Sequence, residues 1–510
     1  MVYDAFYIKG DKMRTIVKAL EMKEYDNYTI EKIEIPSLLL MERAALAMVN
    51  AIRDKIHEKT KVLVIAGNGN NGGDALAAGR IMVQEGTEVF FCMPGLDGKV
   101  SLETKRQIRI LQNLGFSIHD KFPEEEYDIV IDGLFGIGLT RPIEGNYKEA
   151  VMHINTLQKK GAYVVSCDIP SGICADTGKV LGCSVKANMT VTFQYAKAGH
   201  YFYPGREYTG DLQIVPIGIV GESITGLPAS YRTMEEVDVK EFVPERNPSG
   251  NKGTFGKVLI MAGSKDMCGA AVLCGKAVLC AGAGMVKIIT PQINREIIQQ
   301  TLPEAMLYAY EDILQEEKLA ECIHWADVIV AGPGIGKSEV SKMILACLLK
   351  QGKKPFVADA DALNLIAEDM DLQKAVRAYQ KNQLIITPHP GEFVRLTGIS
   401  MELYKNNPGK YIKELADCFS CIVIGKDAVT LIAKPGDEKL YINLTGNDGM
   451  ASAGSGDVLA GIIGGLLAQQ VVADKAAVLG VYLHGCAGDK AADKKSRYAV
   501  TASDLIEYLW

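Results

Sequence analysis

One pattern recurs along this chain and limits its fold more than any other. A short apolar run ends in glycine, asparagine or aspartate, and a helical stretch follows. Residues 61–66 form one such run. They lead into Gly67-Asn-Gly-Asn-Asn-Gly-Gly-Asp74 and then a helix over 75–85. Runs at 88–93, 127–132, 162–168, 189–193 and 212–216 continue the series. A second series starts at 257 and continues through 284–290, 328–331, 356–359, 384–387 and 422–425, with a helix over 270–281. Strands alternating with helices predict α/β folds with parallel sheets covered on both faces. In such folds ligands bind outside the carboxyl ends of the strands. Polar and glycine-rich residues gather there three times in the first series, at 70–74, 132–142 and 168–171.

With 510 residues the chain exceeds one ordinary core, so at least two domains are expected. The pattern weakens between 220 and 249, where turn formers and charges collect. We therefore expect a first domain over 1–225, a linker over 226–249 and a second domain over 250–510. The net charge of −7 argues against a broad nucleic-acid surface. The apolar stretch 458–468 is far shorter than the roughly 20 residues that span a bilayer. The chain begins Met-Val-Tyr-Asp with no basic-then-apolar leader, so a cytosolic address is expected. The twelve cysteines are scattered. Cys418-Phe-Ser-Cys421 has redox-type spacing but no second pair, and reduced thiols are the plain reading.

The motif richest in chemistry is Asn443-Leu-Thr-Gly-Asn-Asp-Gly-Met-Ala-Ser-Ala-Gly-Ser-Gly-Asp457. A loop with few side chains lets backbone N–H groups close around an anion, and the following helix adds its dipole. Asp457 is then placed as a base for a hydroxyl attacking phosphorus. The plain alternative is a helix cap.

Gly67 to Asp74 fits a glycine-rich dinucleotide turn, but no ribose carboxylate ends the next strand and no Walker lysine follows. A simple tight turn is the competing reading. Its amides and carbonyls, with Asp132 and Ser171, could also form an all-oxygen cation shell. Asp168 ends a strand two residues before a proline, as an acid/base group or a turn cap. In Thr387-Pro-His-Pro-Gly-Glu-Phe393 two prolines present His389 rigidly. Lys426-Asp-Ala-Val-Thr430 follows a strand and offers a lysine and a threonine to phosphate or ribose, or is a solvated loop.

Together these residues resemble the bifunctional NAD(P)H-hydrate repair enzymes. The resemblance spans nearly the whole chain. Its marks are Asn70-Asn-Gly-Gly-Asp74, Asp132 with Gly136 to Pro142, and Asp168-Ile-Pro-Ser171. They continue with Asn251-Lys-Gly-Thr-Phe-Gly256, Gly332-Pro-Gly-Ile-Gly336, Thr387 to Glu392 and Gly454-Ser-Gly-Asp457. It implies a Rossmann-like epimerase domain and a ribokinase-like, ADP-dependent (S)-NAD(P)H-hydrate dehydratase domain. In the first, Asn70, Asn71, Gly72, Gly73, Asp74, Gly136, Ile137, Gly138, Leu139, Thr140, Arg141, Pro142, Tyr147 and Asp168 would hold the hydrated dinucleotide. Asn71, Asp132 and Ser171 would bind K+.

In the second, Ala270, Gly334, His389 and Asp457 would contact the hydrated cofactor. Lys426, Asp427, Ala428, Val429, Thr430 and Gly456 would bind the adenine nucleotide with Mg2+. Asp168 and Asp457 would be the catalytic groups. The expected partners are NADHX, NADPHX, ADP and further copies of the chain, with no nucleic acid and no membrane. Three positions depart from the family's usual pattern: Arg43, Ala75 and Asp448. Two other readings stand beside this one, a ribokinase-type vitamin kinase with an accessory nucleotide-binding domain, and a dinucleotide-binding sensor or scaffold.

Overall fold

The computed structural model describes residues 13–95, 98–123, 125–311 and 314–510. Met1 to Asp4, read above for a leader, lie outside the described residues. The chain forms two compact units, Thr15–Tyr231 and Arg232–Trp510.

In the first unit seven parallel strands form one sheet in the spatial order Ile118–His119, Glu88–Cys92, Lys61–Ala66, Ile129–Gly133, Tyr163–Cys167, Met189–Phe193, Asp211–Val215. Alternation along Lys61–Ala66 explains the layers. Val62, Val64 and Ala66 enter a core shared with the helices Ser37–Ala51 and Asn70–Gln84. Leu63 and Ile65 point to the other face, where Ala150, Ile154 and Leu157 of the helix Gly145–Lys159 cover them. The chain starts mid-sheet at Lys61–Ala66, runs to one edge, then crosses back to Ile129–Gly133. That switch point opens a crevice at the strands' carboxyl ends.

The glycine-rich segment differs from expectation in one respect. The helix begins at Asn70 rather than 75, because Gly72 and Gly73 N–H groups close on the Gly69 carbonyl at 3.0 and 3.4 Å. Asn70 to Asp74 are thus the helix's first turn, with its amides and dipole at the crevice.

The second unit carries a sheet in the order Met306–Tyr310, Met285–Pro291, Lys257–Met261, Val328–Ala331, Phe356–Ala358, Leu384–Ile386, Ile422–Gly425, Leu431–Ala433, Leu440–Ile442. Its last two strands run antiparallel. The chain again starts inside the sheet and reverses, here between Lys257–Met261 and Val328–Ala331. The helices Cys268–Cys280 and Ser455–Ala468 pack against each other, and both start at this edge. Gly461 permits the close approach: a Cβ there would lie 2.5 Å from the Cys274 carbonyl oxygen. Residues 226–249 include a strand, Tyr231–Thr233, and a helix, Glu236–Phe242, which the Asp238 carboxylate caps by accepting from Glu235 N–H at 2.8 Å. No helix among the described residues is long and apolar enough to cross a membrane.

Candidate functional site

Each unit gathers its chemistry at the carboxyl edge of its sheet. In the first unit a cavity of about 680 Å³ opens there. Asn70, Asn71, Asp74, Gly136, Ile137, Gly138, Leu139, Thr140, Arg141, Tyr147 and Asp168 all line it. Gly72, Gly73 and Pro142 do not. The two glycines are buried in the first helical turn, where a side chain on Gly72 would strike the Gly67 carbonyl.

Asp168 follows the strand Tyr163–Cys167 and adopts a left-handed conformation, φ 63°. A non-glycine residue held there stores strain, which is common at functional sites. Its carboxylate is 2.5 Å from the Lys197 ammonium and 3.0 Å from the Thr192 hydroxyl. Burial pushes the acid's pKa up, but the Lys197 charge and hydrogen bond outweigh it and hold it below the usual carboxylate range. Asp74 has no such partner among the described residues. Burial, then the charges of Asp168 and Asp26, drive it well above that range. One cavity therefore holds two carboxyls whose pKa values are pushed in opposite directions.

Asp132 and Ser171 lie just beneath, almost without solvent exposure. Asp132 accepts from Ser166 Oγ (2.8 Å), Ser171 N (2.9 Å) and Ser171 Oγ (2.5 Å). Ser171 Oγ also lies 3.3 Å from the Phe135 carbonyl. The Asn71 amide nitrogen is buried with no partner among the described residues. An amide flip would put an oxygen there instead. One carboxylate with neutral oxygens is the donor set that suits a hard cation of low charge.

In the second unit Asp359, 1% exposed, ends the strand Phe356–Ala358. It accepts from Thr387 Oγ1 at 2.6 Å and Lys426 Nζ at 2.5 Å. A Cβ on Gly456 would lie 3.3 Å from Lys426 Nζ and 3.5 Å from Asp359 Oδ2. This places the loop end, Lys426 and Asp359 in one cluster. Gly454, with φ 91°, turns the chain into the helix Ser455–Ala468, so Asp457 stands in its first turn. Burial and the nearby Asp359 charge push the Asp457 carboxyl up to about 7, with Lys426 opposing. Burial works against the Lys426 ammonium, but Asp359 and Glu392 outweigh it and raise its pKa.

His389 sits between its prolines at the head of the helix Pro390–Thr397. Its Nδ1 accepts from Gly391 N–H at 3.0 Å, and Nε2 lies 3.4 Å from Glu392 Oε1. Burial, then Lys426 and Arg395, lower its pKa, which favours the neutral ring. Gly334 and Ala270 adjoin: a Cβ on Gly334 would lie 2.9 Å from that of Ala270. Asp427 accepts from Ala428 N–H at 2.8 Å, and the Thr430 hydroxyl donates weakly to the Asp427 carbonyl at 3.5 Å. Val429 is buried.

Sequence reasoning missed Lys197 and the role of Asp359. The signal present was, for Asp359, a polar residue just past an apolar strand, and for Lys197 a lone lysine in the short strand that follows Met189–Phe193. The three departures have structural places. Arg43 fits against Gly218, where a Cβ would meet its guanidinium at 2.1 Å. Ala75 packs against Gly133. Asp448 pairs with Arg497 at 3.3 Å on the surface.

The family model described as NAD(P)H-hydrate dehydratase matches residues 258–510, and that described as YjeF-related protein N-terminus matches residues 37–199. The bifunctional NAD(P)H-hydrate repair enzyme of Moorella thermoacetica is 35% identical, covering 97% of this chain and 96% of its own length. That of Escherichia coli is 33% identical over 92% of this chain and 88% of its own. Among solved structures, the ADP/ATP-dependent NAD(P)H-hydrate dehydratase of Bacillus subtilis, co-crystallised with ATP and Mg2+, is 32% identical. It covers 54% of this chain and 95% of its own, with a TM-score of 0.47. With both halves matched and relatives aligned along nearly its whole length, the chain belongs to the family of bifunctional NAD(P)H-hydrate repair enzymes, an epimerase domain followed by a dehydratase domain.

Proposed function

We propose that Asp457 carries the dehydration, and Asp168 the epimerisation, of NADH and NADPH hydrated at C6. The observation that carries this reading is the Asp457 carboxyl. It is pushed up to about 7 at a helix N-terminus, behind a glycine loop and facing Lys426. A base matched to neutral pH beside an anion-binding turn suits a hydroxyl attacking phosphorus.

In the dehydratase domain Asp457 takes the proton of the C6 hydroxyl as its oxygen attacks the terminal phosphorus of ADP, and AMP leaves. The amides of Gly454-Ser-Gly456 and the Lys426 ammonium meet the charge that develops. Departure of phosphate from C6 and of a proton from C5 restores the ring double bond, leaving NAD(P)H, AMP and phosphate. Ala270, Gly334 and His389 are assigned to the hydrated cofactor, and Lys426 to Thr430 with Gly456 to the nucleotide. Mg2+ bound with ADP would neutralise phosphate charge.

In the epimerase domain the residues lining the cavity hold the R or S epimer, and Asp168 takes up and returns the proton that inversion at C6 requires. Asn71, Asp132 and Ser171 would hold K+, which would anchor phosphate oxygens. A cytosolic address and self-association belong to the same proposal, and light scattering on the purified chain tests the second.

The near-full-length relatives favour repair over a vitamin kinase with an accessory domain. Incubation with hydrated NADH and ADP tests this directly. Recovery of NADH absorbance with release of AMP and phosphate is expected. Accumulation of a stable phosphorylated alcohol would overturn the reading.

A further inference from the structure

Lys197 ends the short strand Ala196–Lys197, which pairs in parallel with Arg14–Val17 through Ile16↔Ala196 and Val17↔Lys197. Its side chain is 1% exposed. An ammonium this deep needs an acceptor for each of its three hydrogens. It has them: Asp168 Oδ1 at 2.5 Å, Thr192 Oγ1 at 2.9 Å and the Phe193 carbonyl at 3.3 Å. Thr192 Oγ1 and Phe193 N–H in turn donate to Asp168 Oδ1 at 3.0 and 3.4 Å. Among the described residues every hydrogen bond to the carboxylate thus falls on one oxygen.

The backbone of Lys197 acts on the same residue. Its N–H donates to His200 Nδ1 at 3.0 Å, so Nε2 carries the ring proton and donates to the Asp168 carbonyl at 2.9 Å. Burial, then the Lys197 charge, hold that imidazole's pKa down to about 4, so the tautomer is that of a neutral ring. Lys197 therefore grips Asp168 from both ends while its backbone stays at a positive φ. Asp168 and Lys197 both line the cavity.

We propose that Lys197 is a positioning residue for epimerisation, holding Asp168 by Oδ1 so that Oδ2 exchanges the proton with the substrate. The proposal rests on the reading that Asp168 is the proton-carrying group of the epimerase domain. An ion pair that only stabilised the fold would not need to gather all its contacts on one oxygen.

The charged surroundings sharpen the expected effect. Asp26 faces the pair from the helix Ala19–Glu31 and Asp74 from the helix Asn70–Gln84, with Cys167 and His200 on the neighbouring backbone. Lys23, Glu103 and Arg141 line the same cavity. Without the Lys197 charge, burial and the two carboxyl neighbours act on Asp168 against only the weaker opposition of His200 and the Thr192 hydrogen bond. A larger fraction of it is then protonated at any given pH.

The test uses the full chain as Lys197→Met, Lys197→Arg and Asp168→Ala, with purified R epimer. Loss of the R form is followed across pH, and ADP-dependent consumption of the S form serves as the second readout. In Lys197→Met we expect kcat for epimerisation to fall by about tenfold or more, with a smaller change in KM. Its acid limb should move to higher pH, and Lys197→Arg should recover part of both. Should Lys197→Met fail to fold, Thr192→Val removes one donor to Oδ1 and should shift the limb in the same direction by less. Epimerisation by the lysine variants at the wild-type rate, or a loss of rate with an unmoved pH profile, would overturn the proposal. Normal epimerisation by Asp168→Ala would instead overturn the reading beneath it.

Discussion

Two carboxylates at similar corners, each just past a strand or loop, Asp168 buried and Asp457 half-buried, are driven in opposite directions. For Asp457 burial and Asp359 prevail, and the carboxyl rises to about 7. For Asp168 the contact with Lys197 prevails, and it stays below the usual range. The sign of each shift follows from whether a cation touches the carboxylate or only stands near it. Both groups act as bases in the proposed chemistry, so both must be ionised. On separated epimers, kcat/KM for dehydration should fall as pH drops through about 7. The acid limb of epimerisation should lie lower. A dehydration rate that stays flat across neutrality would show that Asp457 is not the titrating base.

At the scale of elements, the proposed dehydratase site hangs on two helices. Ser455–Ala468 supplies Asp457 in its first turn, and Cys268–Cys280 supplies Ala270 in its own. Their separation sets the distance between the proposed catalytic group and the proposed substrate contact, and Gly461 sets the separation. A Cβ there would meet the Cys274 carbonyl oxygen at 2.5 Å and the Ala277 methyl at 2.7 Å. Backbone cannot rotate aside as a side chain can, so the helices must move apart. We expect Gly461→Val to cost about 1–3 kcal/mol, as overpacked cores commonly do. Dehydration should suffer while epimerisation continues, because the helices belong to the second unit. Unfolding at the wild-type temperature with undiminished dehydration would contradict this.

Across the whole molecule, what could be read from sequence was whatever local pattern determines. The strands Lys61–Ala66, Met189–Phe193 and Ile422–Gly425 fall where the apolar runs place them. The glycine and aspartate turns mark the carboxyl edges of both sheets. Less legible were features created by packing. The hairpin strand Leu431–Ala433 follows a loop that itself looked like ligand chemistry, and its antiparallel direction depends on its partners. Tyr231–Thr233 and Glu236–Phe242 fall in a segment rich in turn formers and charge, where local signals point away from regular structure. Lys197 and Asp359 meet their charged partners 29 and 67 residues away in sequence. A lone lysine after a strand does not announce a buried ion pair.

In the proposed function one chain performs two separable reactions, the second through Asp457. The most direct test supplies pure R or pure S hydrate of NADH, with ADP and Mg2+, to the wild-type chain and to Asp457→Asn. NADH absorbance and the R to S ratio are followed together. Wild type should recover NADH from both epimers. Asp457→Asn should recover it from neither, yet still bring R and S to equilibrium. Recovery of NADH by Asp457→Asn at a rate near that of wild type would show that Asp457 does not carry the dehydration.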